Sequence, residues 1–251
     1  MTPANEAAPA GAPLFYSRPV PVQADAHADV RILKADHGFT ARNNAIPLVV
    51  GEFAQALHHY PILFAGKSGV PMAALGLTED NLFVSNGEWD EASYIPAYVR
   101  RHPFIFIDVD EGRNFVLGID ADSPRVARGG EEGRALFEDG KPTDVLNQAM
   151  EFCGQFTREH VITQEFAKAL VELELLVERS ANVRLPDGNE LNLNGFYVVD
   201  VEKFGQLPDA TVLEWHRKGW LALVHQHLMS LHRFSDLSRR QVARTAGAAQ
   251  A

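Results

Sequence analysis

The sequence predicts an α+β fold, with an antiparallel β-sheet meander and helices packed on one side. Residues 62–119 hold apolar, β-rich runs separated by turn residues, which is typical of consecutive antiparallel strands. Residues 181–199 show a hairpin pattern of the same kind and are expected to extend that sheet. Residues 144–176 and 208–233 instead place apolar side chains at helical spacing.

The first third of the chain is predicted to form short strands and one helix. Two prolines restrict residues 14–22 to edge-strand or polyproline geometry. Apolar residues at helical spacing predict a helix over residues 46–57, capped by Asn43 or Asn44. Further strands are predicted at residues 30–33, 61–66, 70–77 and 81–86.

Residues 87–106 are unusually rich in aromatic and cationic side chains. Their sequence is GEWDEASYIPAYVRRHPFIF. An Asn-Gly pair, which favours a tight turn, opens the segment. A short helix is predicted over residues 93–101, and Pro103 ends it because the residue before a proline is forced out of helical geometry. The runs FIFIDV and NFVLGID then predict a hairpin across the loop DEGR.

The second half of the chain is predicted to hold three helices and a hairpin. The first helix starts at Thr143 and the second near Thr163, and a short connection around His160 makes them an antiparallel pair. The hairpin over residues 181–199 turns at an Asp-Gly pair. The last helix, over residues 208–233, starts at a proline, which is a common first helical residue.

We expect one domain over residues 14–237, flanked by disordered tails at residues 1–13 and 238–251. Both tails are rich in alanine, and neither shows the apolar periodicity of a packed element. The alternative is a division into two domains near residue 140. A chain of 251 residues is long enough for either arrangement.

Composition narrows the class of protein. The formal net charge of −10 argues against a general nucleic-acid binder and against a polybasic membrane anchor, because both require Lys/Arg patches. The single cysteine, Cys153, excludes an intramolecular disulfide. The sequence shows no apolar run that could cross a bilayer and no secretory signal pattern, so we expect a cytoplasmic protein.

The sequence lacks the common motifs of catalytic and metal sites. The histidines of the last helix are not three or four residues apart, as a helical pair of metal ligands requires. The acidic run DVDEGRN differs from a calcium loop, because its glycine comes one position early. No G-x-S-x-G turn and no glycine-rich phosphate loop is present. We therefore expect no metal and no cofactor, and we favour a protein without enzymatic activity.

Arg100 and Arg101 are the first candidates for ligand binding. With Trp89, Tyr94 and Tyr98 as an aromatic wall, the two guanidinium groups would suit an anion or an acidic peptide. The alternative is a structural role, in which the arginines interact with the last carbonyls of their helix and with nearby carboxylates.

The histidines of the last helix are the second candidates. His216 and His227 share an apolar helical stripe with Trp220, so both rings should be partly buried and need hydrogen-bond partners. Each is interpreted either as a satisfied core histidine or as a ligand-facing group. The complete set of candidate binding residues is Glu52, His59, Tyr60, Trp89, Tyr94, Tyr98, Arg100, Arg101, His216, Trp220 and His227.

Several segments together resemble the bacterial SapC family over residues 13–237. They include NAIPLVVGEF, HHYPILF, YIPAYVRRHPFIF, LFEDGKPT, GFYVVD and GWLALVHQHLMSL. The most distinctive is YIPAYVRRHPF. The residues that match the family pattern are Glu52, Tyr60, Pro61, Asn81, Trp89, Pro96, Arg100, Arg101, Pro103, Phe104 and Gly195.

The resemblance implies an association with surface-layer loci and with genes for flavin-dependent halogenase-like enzymes, cupin-like proteins and outer-membrane receptors. It supplies no catalytic residues. Family members also carry the label of peptide-transport permease components, which the absence of an apolar span in this sequence does not fit.

Three hypotheses for function follow from the sequence. The first is a non-enzymatic binding or accessory protein that assists a halogenase-like enzyme or a surface or uptake system, with a protein or a small acidic or peptide ligand as partner. The second is an enzyme whose site is assembled from Glu52, His59, Arg100, His216 or His227. The third is a structural component of a surface layer.

Overall fold

The computed structural model describes residues 13–110, 113–184 and 190–248. The strands in these ranges are β1 (Pro19–Pro21), β2 (Val30–Ile32), β3 (Ala45–Pro47), β4 (Ile62–Ala65), β5 (Val70–Ala74), β6 (Val84–Ser85), β7 (Glu88–Trp89), β8 (Phe104–Asp108), β9 (Phe115–Asp120), β10 (Val126–Arg128), β11 (Arg134–Ala135), β12 (Phe137–Glu138), β13 (Lys141–Pro142), β14 (Leu176–Arg184) and β15 (Glu190–Val199).

The α-helices are α1 (Phe53–Ala56), α2 (Ala97–Arg100), α3 (Asp144–Glu172), α4 (Val201–Gly205), α5 (Asp209–Lys218), α6 (Trp220–Ser230) and α7 (Phe234–Ala248). Short 3-10 helices lie at Gly38–Thr40, Val50–Glu52, Gly66–Ser68 and Leu231–Arg233. The paired strands are antiparallel, so the predicted α+β class with antiparallel sheets is confirmed. None of the described helices is both long enough and apolar enough to span a bilayer.

The chain divides into two compact units, and each is discontinuous in sequence. Of the described residues, the first unit contains residues 13–36, 101–110 and 113–157, and the second contains residues 37–100, 158–184 and 190–248. Helix α3 contributes its first half to the first unit and its second half to the second unit. A single domain over residues 14–237 stays a prediction.

The first unit is built around the predicted hairpin of β8 and β9. These strands pair from Phe104 with Ile119 to Asp108 with Phe115, and β1 adds to the other edge of β9. Two residues of the connecting loop, 111 and 112, lie outside the described ranges. A second small sheet has the order β10-β2-β11. The buried core of the unit consists of Val30, Ile32, Phe104, Leu117, Ile119, Leu136, Phe137, Leu146, Ala149 and Cys153.

The second unit is organised by a five-stranded sheet with the order β14-β15-β4-β5-β3. The predicted late hairpin extends this sheet, because Phe196 and Tyr197 of β15 pair with Ala65 and Phe64 of β4. The turn predicted within that hairpin falls on residues 185–189, which lie outside the described ranges. The ring of Phe166 packs against four other aromatic rings in the core, those of Phe53, Phe64, Trp215 and Trp220.

The strands of residues 62–119 belong to three sheets rather than to one continuous meander. Strands β4 and β5 are in the five-stranded sheet, β6 and β7 form a separate two-stranded hairpin, and β8 pairs with β9 and not with an earlier strand. The predicted Asn-Gly turn joins β6 to β7, and both of its residues have positive φ, 51° at Asn86 and 79° at Gly87.

The helix predicted over residues 46–57 is correct over residues 50–56 and wrong at its start. Residues 45–47 form strand β3, which pairs with β5 and buries Ile46 completely, so tertiary pairing overrides the helical spacing of the apolar residues. Helical structure starts only at the 3-10 turn of Val50–Glu52. Asn44 does not cap a helix; its side-chain amide donates to the Thr78 carbonyl.

The antiparallel pair of helices predicted around His160 is also wrong. Helix α3 runs without interruption through His160 and is 29 residues long. The stretch around His160 contains neither glycine nor proline, so nothing in the sequence breaks the helix there. Leu176, which was expected on the second helix, starts strand β14 instead.

The helix predicted over residues 208–233 starts as expected, with Pro208 before α5, but Gly219 at φ 74° separates α5 from α6. Helix α7 then continues to Ala248, which corrects the expected disordered tail over the described part of residues 238–251. It is anchored by Leu237 and Gln241, which are buried. The expected tail at residues 1–13 lies, apart from residue 13, outside the described ranges.

Candidate functional site

Glu52 lies at the centre of a closed polar cluster in the second unit, and its side chain is 5% exposed. Its Oε1 accepts hydrogen bonds from the Tyr94 hydroxyl at 2.9 Å and from the backbone N–H of Ala97 at 2.6 Å. Its Oε2 accepts from the backbone N–H of Val49 at 3.0 Å. Burial raises the pKa of the Glu52 carboxyl, and the hydrogen bonds from Val49 and Ala97 oppose that shift. The carboxylate therefore fastens the segment before α2 to the turn that contains Glu52.

Arg100 extends this cluster at its exposed side. Its Nη2 donates to the Tyr94 hydroxyl at 2.9 Å, and its Nε donates to the Ile95 carbonyl at 2.9 Å. The guanidinium carbon also lies 5.4 Å from the centre of the Tyr94 ring. Burial and the Glu52 charge raise the pKa of Tyr94 to about 12, so the phenol stays protonated and donates to Glu52.

Tyr60 and Trp89 belong to the same cluster. The Tyr60 hydroxyl donates to the Tyr94 carbonyl and accepts from the Trp89 indole N–H at 3.3 Å. Both rings are buried, as is Tyr98. The expected aromatic wall around Arg100 is therefore core packing, and only Tyr94 of that wall is partly exposed.

Arg101 packs against two aromatic rings of the first unit. Its guanidinium carbon lies 4.4 Å from the centre of the Phe156 ring and 5.5 Å from that of Tyr16. These contacts favour the structural role for Arg101, whose guanidinium group packs on aromatic rings.

His227 is a fully buried histidine that connects two strands. Its Nδ1 donates to the Ile62 carbonyl at 2.7 Å, and its Nε2 accepts from the Val199 N–H at 3.1 Å. Burial lowers the pKa of His227 to about 4, so the ring is neutral at pH 7. Of the two interpretations of this residue, the contacts favour the satisfied core histidine.

The other two candidates of the last helical region, His216 and Trp220, differ in their exposure. His216 is exposed rather than buried, because the buried face of α5 carries Trp215. Trp220 is buried, with its ring centre 5.7 Å from that of Phe166 and 5.6 Å from that of Trp215. Of the five residues of the enzyme hypothesis, Glu52 and Arg100 share the Tyr94 hydroxyl, and His59 lines a cleft among the described residues.

The cleft beside His59 has a volume of 390 Å³ and lies wholly within the second unit. We call it the arginine–histidine cleft. Its lining residues come from the turn after α1, from the residue before β6, from the loop after β7, and from the last 3-10 helix and the start of α7. They are His58, His59, Phe83, Ala92, Ser93, Arg233, Asp236, Arg239 and Arg240.

Three guanidinium groups in this cleft face two carboxylates. Arg233 Nη1 lies 2.8 Å from Asp236, and Arg239 contacts the other oxygen of that carboxylate. Arg240 Nη2 lies 2.6 Å from Asp90, and its guanidinium carbon stacks 4.2 Å from the centre of the Phe83 ring. The two arginines lower the pKa of Asp236. One positive charge remains without a compensating carboxylate.

His59 can add to that charge when its ring is protonated. Burial lowers the pKa of His59, and the neighbouring His58 and Arg233 lower it further. The lowered pKa means that the His59 ring is protonated less readily than a free histidine, and it becomes a cation as the pH falls.

The arginines of the cleft were missed by the sequence analysis. The signal was present in residues 233–240, RFSDLSRR, because positions seven apart on a helix share a face. These residues were overlooked because the last helix was expected to end near residue 233 and the following residues to be disordered.

A second cleft, of 640 Å³, lies in the first unit. Its charged lining residues are balanced, with three cations (Arg31, Arg134 and Lys141) and three carboxylates (Glu138, Asp139 and Asp144). Despite its larger volume it lacks the excess charge of the arginine–histidine cleft. No group of three His, Cys, Asp or Glu side chains in the described part of either unit could hold a metal ion.

The comparisons with known proteins identify a family and nothing closer. The model of the SapC family matches residues 22–237. No curated protein and no solved structure matches the chain.

Proposed function

The chain belongs to the SapC family, and we propose that it is a binding or accessory protein whose ligand is an anion held in the arginine–histidine cleft. The observation that carries this proposal is the excess of guanidinium groups in an open cleft of a protein whose formal net charge is −10. In such a protein a local cationic surface attracts anions by complementarity of charge.

The arginines keep hydrogen-bonding capacity for a ligand. Each guanidinium has five N–H donors. Internal contacts use one donor of Arg239, one of Arg240 and two of Arg233, whose Nε lies 3.4 Å from the Leu57 carbonyl. The side chain of Arg239 is 79% exposed and that of Arg240 is 38% exposed. A carboxylate or a phosphate group could accept from the remaining donors, and such charge-assisted bonds are strong.

The contacts of the other candidates support a role in binding rather than in catalysis. The Glu52 oxygens are engaged by Tyr94 and by backbone N–H groups. Both ring nitrogens of His227 are engaged by backbone groups. These side chains stabilise the fold, and the reactive groups of an enzyme would need access to a substrate. Assistance to a flavin-dependent halogenase-like enzyme or to a surface or uptake system stays a proposal from the family resemblance.

Calorimetric titration with glutarate and with inorganic phosphate tests the proposal. Arg240→Gln should weaken the binding of both anions about tenfold, since one charge-assisted hydrogen bond contributes about 1.5 kcal/mol or more. Arg239→Gln, at a largely exposed position, should weaken binding about threefold without affecting the fold. Arg42→Gln is the matched control, because Arg42 is 77% exposed in the same unit and also pairs with one aspartate. Equal affinities for the wild type and both cleft variants would overturn the proposal.

A further inference from the structure

The cationic surface of the second unit continues past the arginine–histidine cleft along α7. Arg233 is the last residue of the 3-10 helix that leads directly into α7, and Arg240 and Arg244 lie on α7; the three are separated by seven and four residues. With a turn of about 100° per residue, the three side chains lie within about 40° of one another around the helix axis. The distance from the first to the last is about 16 Å along the axis, at about 1.5 Å per residue.

Arg244 extends this row of three arginines, which we call the stripe, beyond the cleft. Its side chain is exposed, and its Nη1 donates to the backbone carbonyl of Asn81 at 2.7 Å. A carbonyl fixes the position of the guanidinium without neutralising its charge. Arg244 is thus held in place at one end of the stripe, whereas Arg233 and Arg240 are partly compensated by Asp236 and Asp90.

We propose that the stripe of Arg233, Arg240 and Arg244 is a docking track for an extended acidic segment of a partner protein. The inference rests on the proposed function of the cleft and specifies the class of its ligand. A single carboxylate or phosphate can contact only one or two of these guanidinium groups. An extended peptide rises about 3.3 Å per residue, so about five residues match the length of the stripe.

The character of the surface favours a peptide over a small organic molecule. Pockets for small molecules are mostly apolar and enclose most of the ligand. The lining of this cleft is dominated by arginine and histidine, and its one large apolar ring, Phe83, is covered by Arg240. Hydrogen-bond donors and charge are therefore what the surface offers, and acidic side chains spaced along a peptide can use them.

The same features disfavour a nucleic acid. Binding of single strands relies on exposed aromatic rings on which bases stack. Near the stripe, Tyr60, Phe83 and Trp89 are all buried. The net charge of −10 also repels a long polyanion, while a short acidic segment meets mainly the local field.

Titrations at low salt with three probes test the inference: acetylated and amidated hexaglutamate, glutarate, and single-stranded hexathymidylate. Hexaglutamate should bind at least about tenfold more tightly than glutarate, because it can engage several guanidinium groups at once. Arg244→Gln should weaken hexaglutamate binding about threefold and leave glutarate binding unchanged, as expected for an exposed charge contact. Arg244→Lys keeps the charge and should keep most of the affinity, which a role limited to supporting the fold does not predict.

The possible outcomes separate the two proposals. If glutarate binds in a manner that depends on Arg240 but hexaglutamate binds no more tightly, the cleft is an anion site and the docking track is wrong. If hexathymidylate binds as tightly as hexaglutamate, the assignment to an acidic peptide is wrong. If neither glutarate nor hexaglutamate binds, both proposals fail.

Discussion

The second unit contains two charged clusters that differ in how their charge is used. In the cluster of Glu52, a buried carboxylate accepts three hydrogen bonds, and its aromatic partners are packed in the core. In the arginine–histidine cleft, three guanidinium groups share two carboxylates and keep donors directed at solvent. The contacts described for the first cluster use its carboxylate oxygens, whereas those described for the second use only some of the guanidinium donors.

This difference distinguishes charged groups that stabilise the fold from charged groups that are available to a ligand. A buried charge has to be satisfied within the fold, because leaving it without partners costs several kcal/mol. An exposed excess of like charge costs little, so it can be kept for a ligand. Mutations in the first cluster should therefore change mainly stability, and mutations in the second should change mainly affinity.

The largest effect is expected for Glu52→Ala. The substitution leaves the Tyr94 hydroxyl and the N–H groups of Val49 and Ala97 without their acceptor. We expect the free energy of unfolding to fall by about 4 kcal/mol, as measured by urea denaturation. Glu52→Gln should cost less, because it keeps an acceptor and removes a buried charge. A loss below about 1 kcal/mol for Glu52→Ala would contradict a structural role.

The second effect is the dependence of stability on His227 and pH. Burial holds the pKa of His227 at about 4 in the folded protein, against 6.5 for the free side chain. Below pH 6.5 the unfolded chain binds a proton at His227, whereas the folded protein does not bind it until the pH approaches 4. The stability present above pH 6.5 is therefore lost as the pH falls towards 4. Between pH 7 and pH 4 the loss is about 3 kcal/mol.

Urea denaturation of His227→Gln at pH 7 and at pH 4.5 measures this contribution. The variant should be less stable than the wild type at pH 7 and should lose less stability on acidification. His216→Gln is the control, because His216 is exposed in the same unit. Equal pH dependence of His227→Gln and the wild type would show that the buried ring is not the titrating group.

The third predicted effect is an increase in anion affinity, on substitution of Asp236. Asp236 occupies Arg233 and Arg239 with its own carboxylate, so it competes with an external anion. Asp236→Asn should raise the affinity for glutarate about threefold, since an exposed ion pair of this kind contributes up to about 1 kcal/mol. Calorimetric titration measures the change, and an affinity that falls would mean that Asp236 orients the arginines for binding instead of competing with the ligand.

The smallest effect is the dependence of binding on pH. Burial lowers the pKa of His59, and the positive charges of His58, Arg233 and Arg240 lower it further. The negative charge of Asp90 raises it. As the pH falls, protonation of His59 should add a positive charge to the cleft and strengthen the binding of glutarate for as long as glutarate stays ionised. The effect should be about twofold, as for a weak charge contact near the surface, and His59→Asn should reduce it. Binding that weakens on acidification in the wild type is the contrary result.

Much of the fold was predictable, because local signals agree with the tertiary structure. The Asn-Gly turn at residues 86–87, the β8–β9 hairpin and the start of α5 after Pro208 all combine a turn or helix signal with the matching apolar pattern. The family was also identified correctly from motifs. The strand at residues 45–47 was not predictable from spacing, since β3 depends on pairing with β5.

The candidate site was only partly predictable. The residues of the aromatic–arginine segment do form a cluster, but the sequence does not reveal that Tyr60, Trp89 and Tyr98 are buried. The stripe of α7 was missed because a polar, alanine-rich end resembles a disordered tail until its packing through Leu237 and Gln241 is known. Polar helices are stabilised by such tertiary contacts rather than by their own propensity.

The claim that the arginine–histidine cleft binds anions is tested most directly by nuclear magnetic resonance of the isotope-labelled full chain titrated with glutarate. The account predicts saturable shifts confined to the amides near His58 and His59, Ala92 and Ser93, and residues 233–240, with the amides around Glu52 less affected. Shifts that centre on the second cleft at Arg31 and Lys141, or a spectrum that glutarate leaves unchanged, would contradict it.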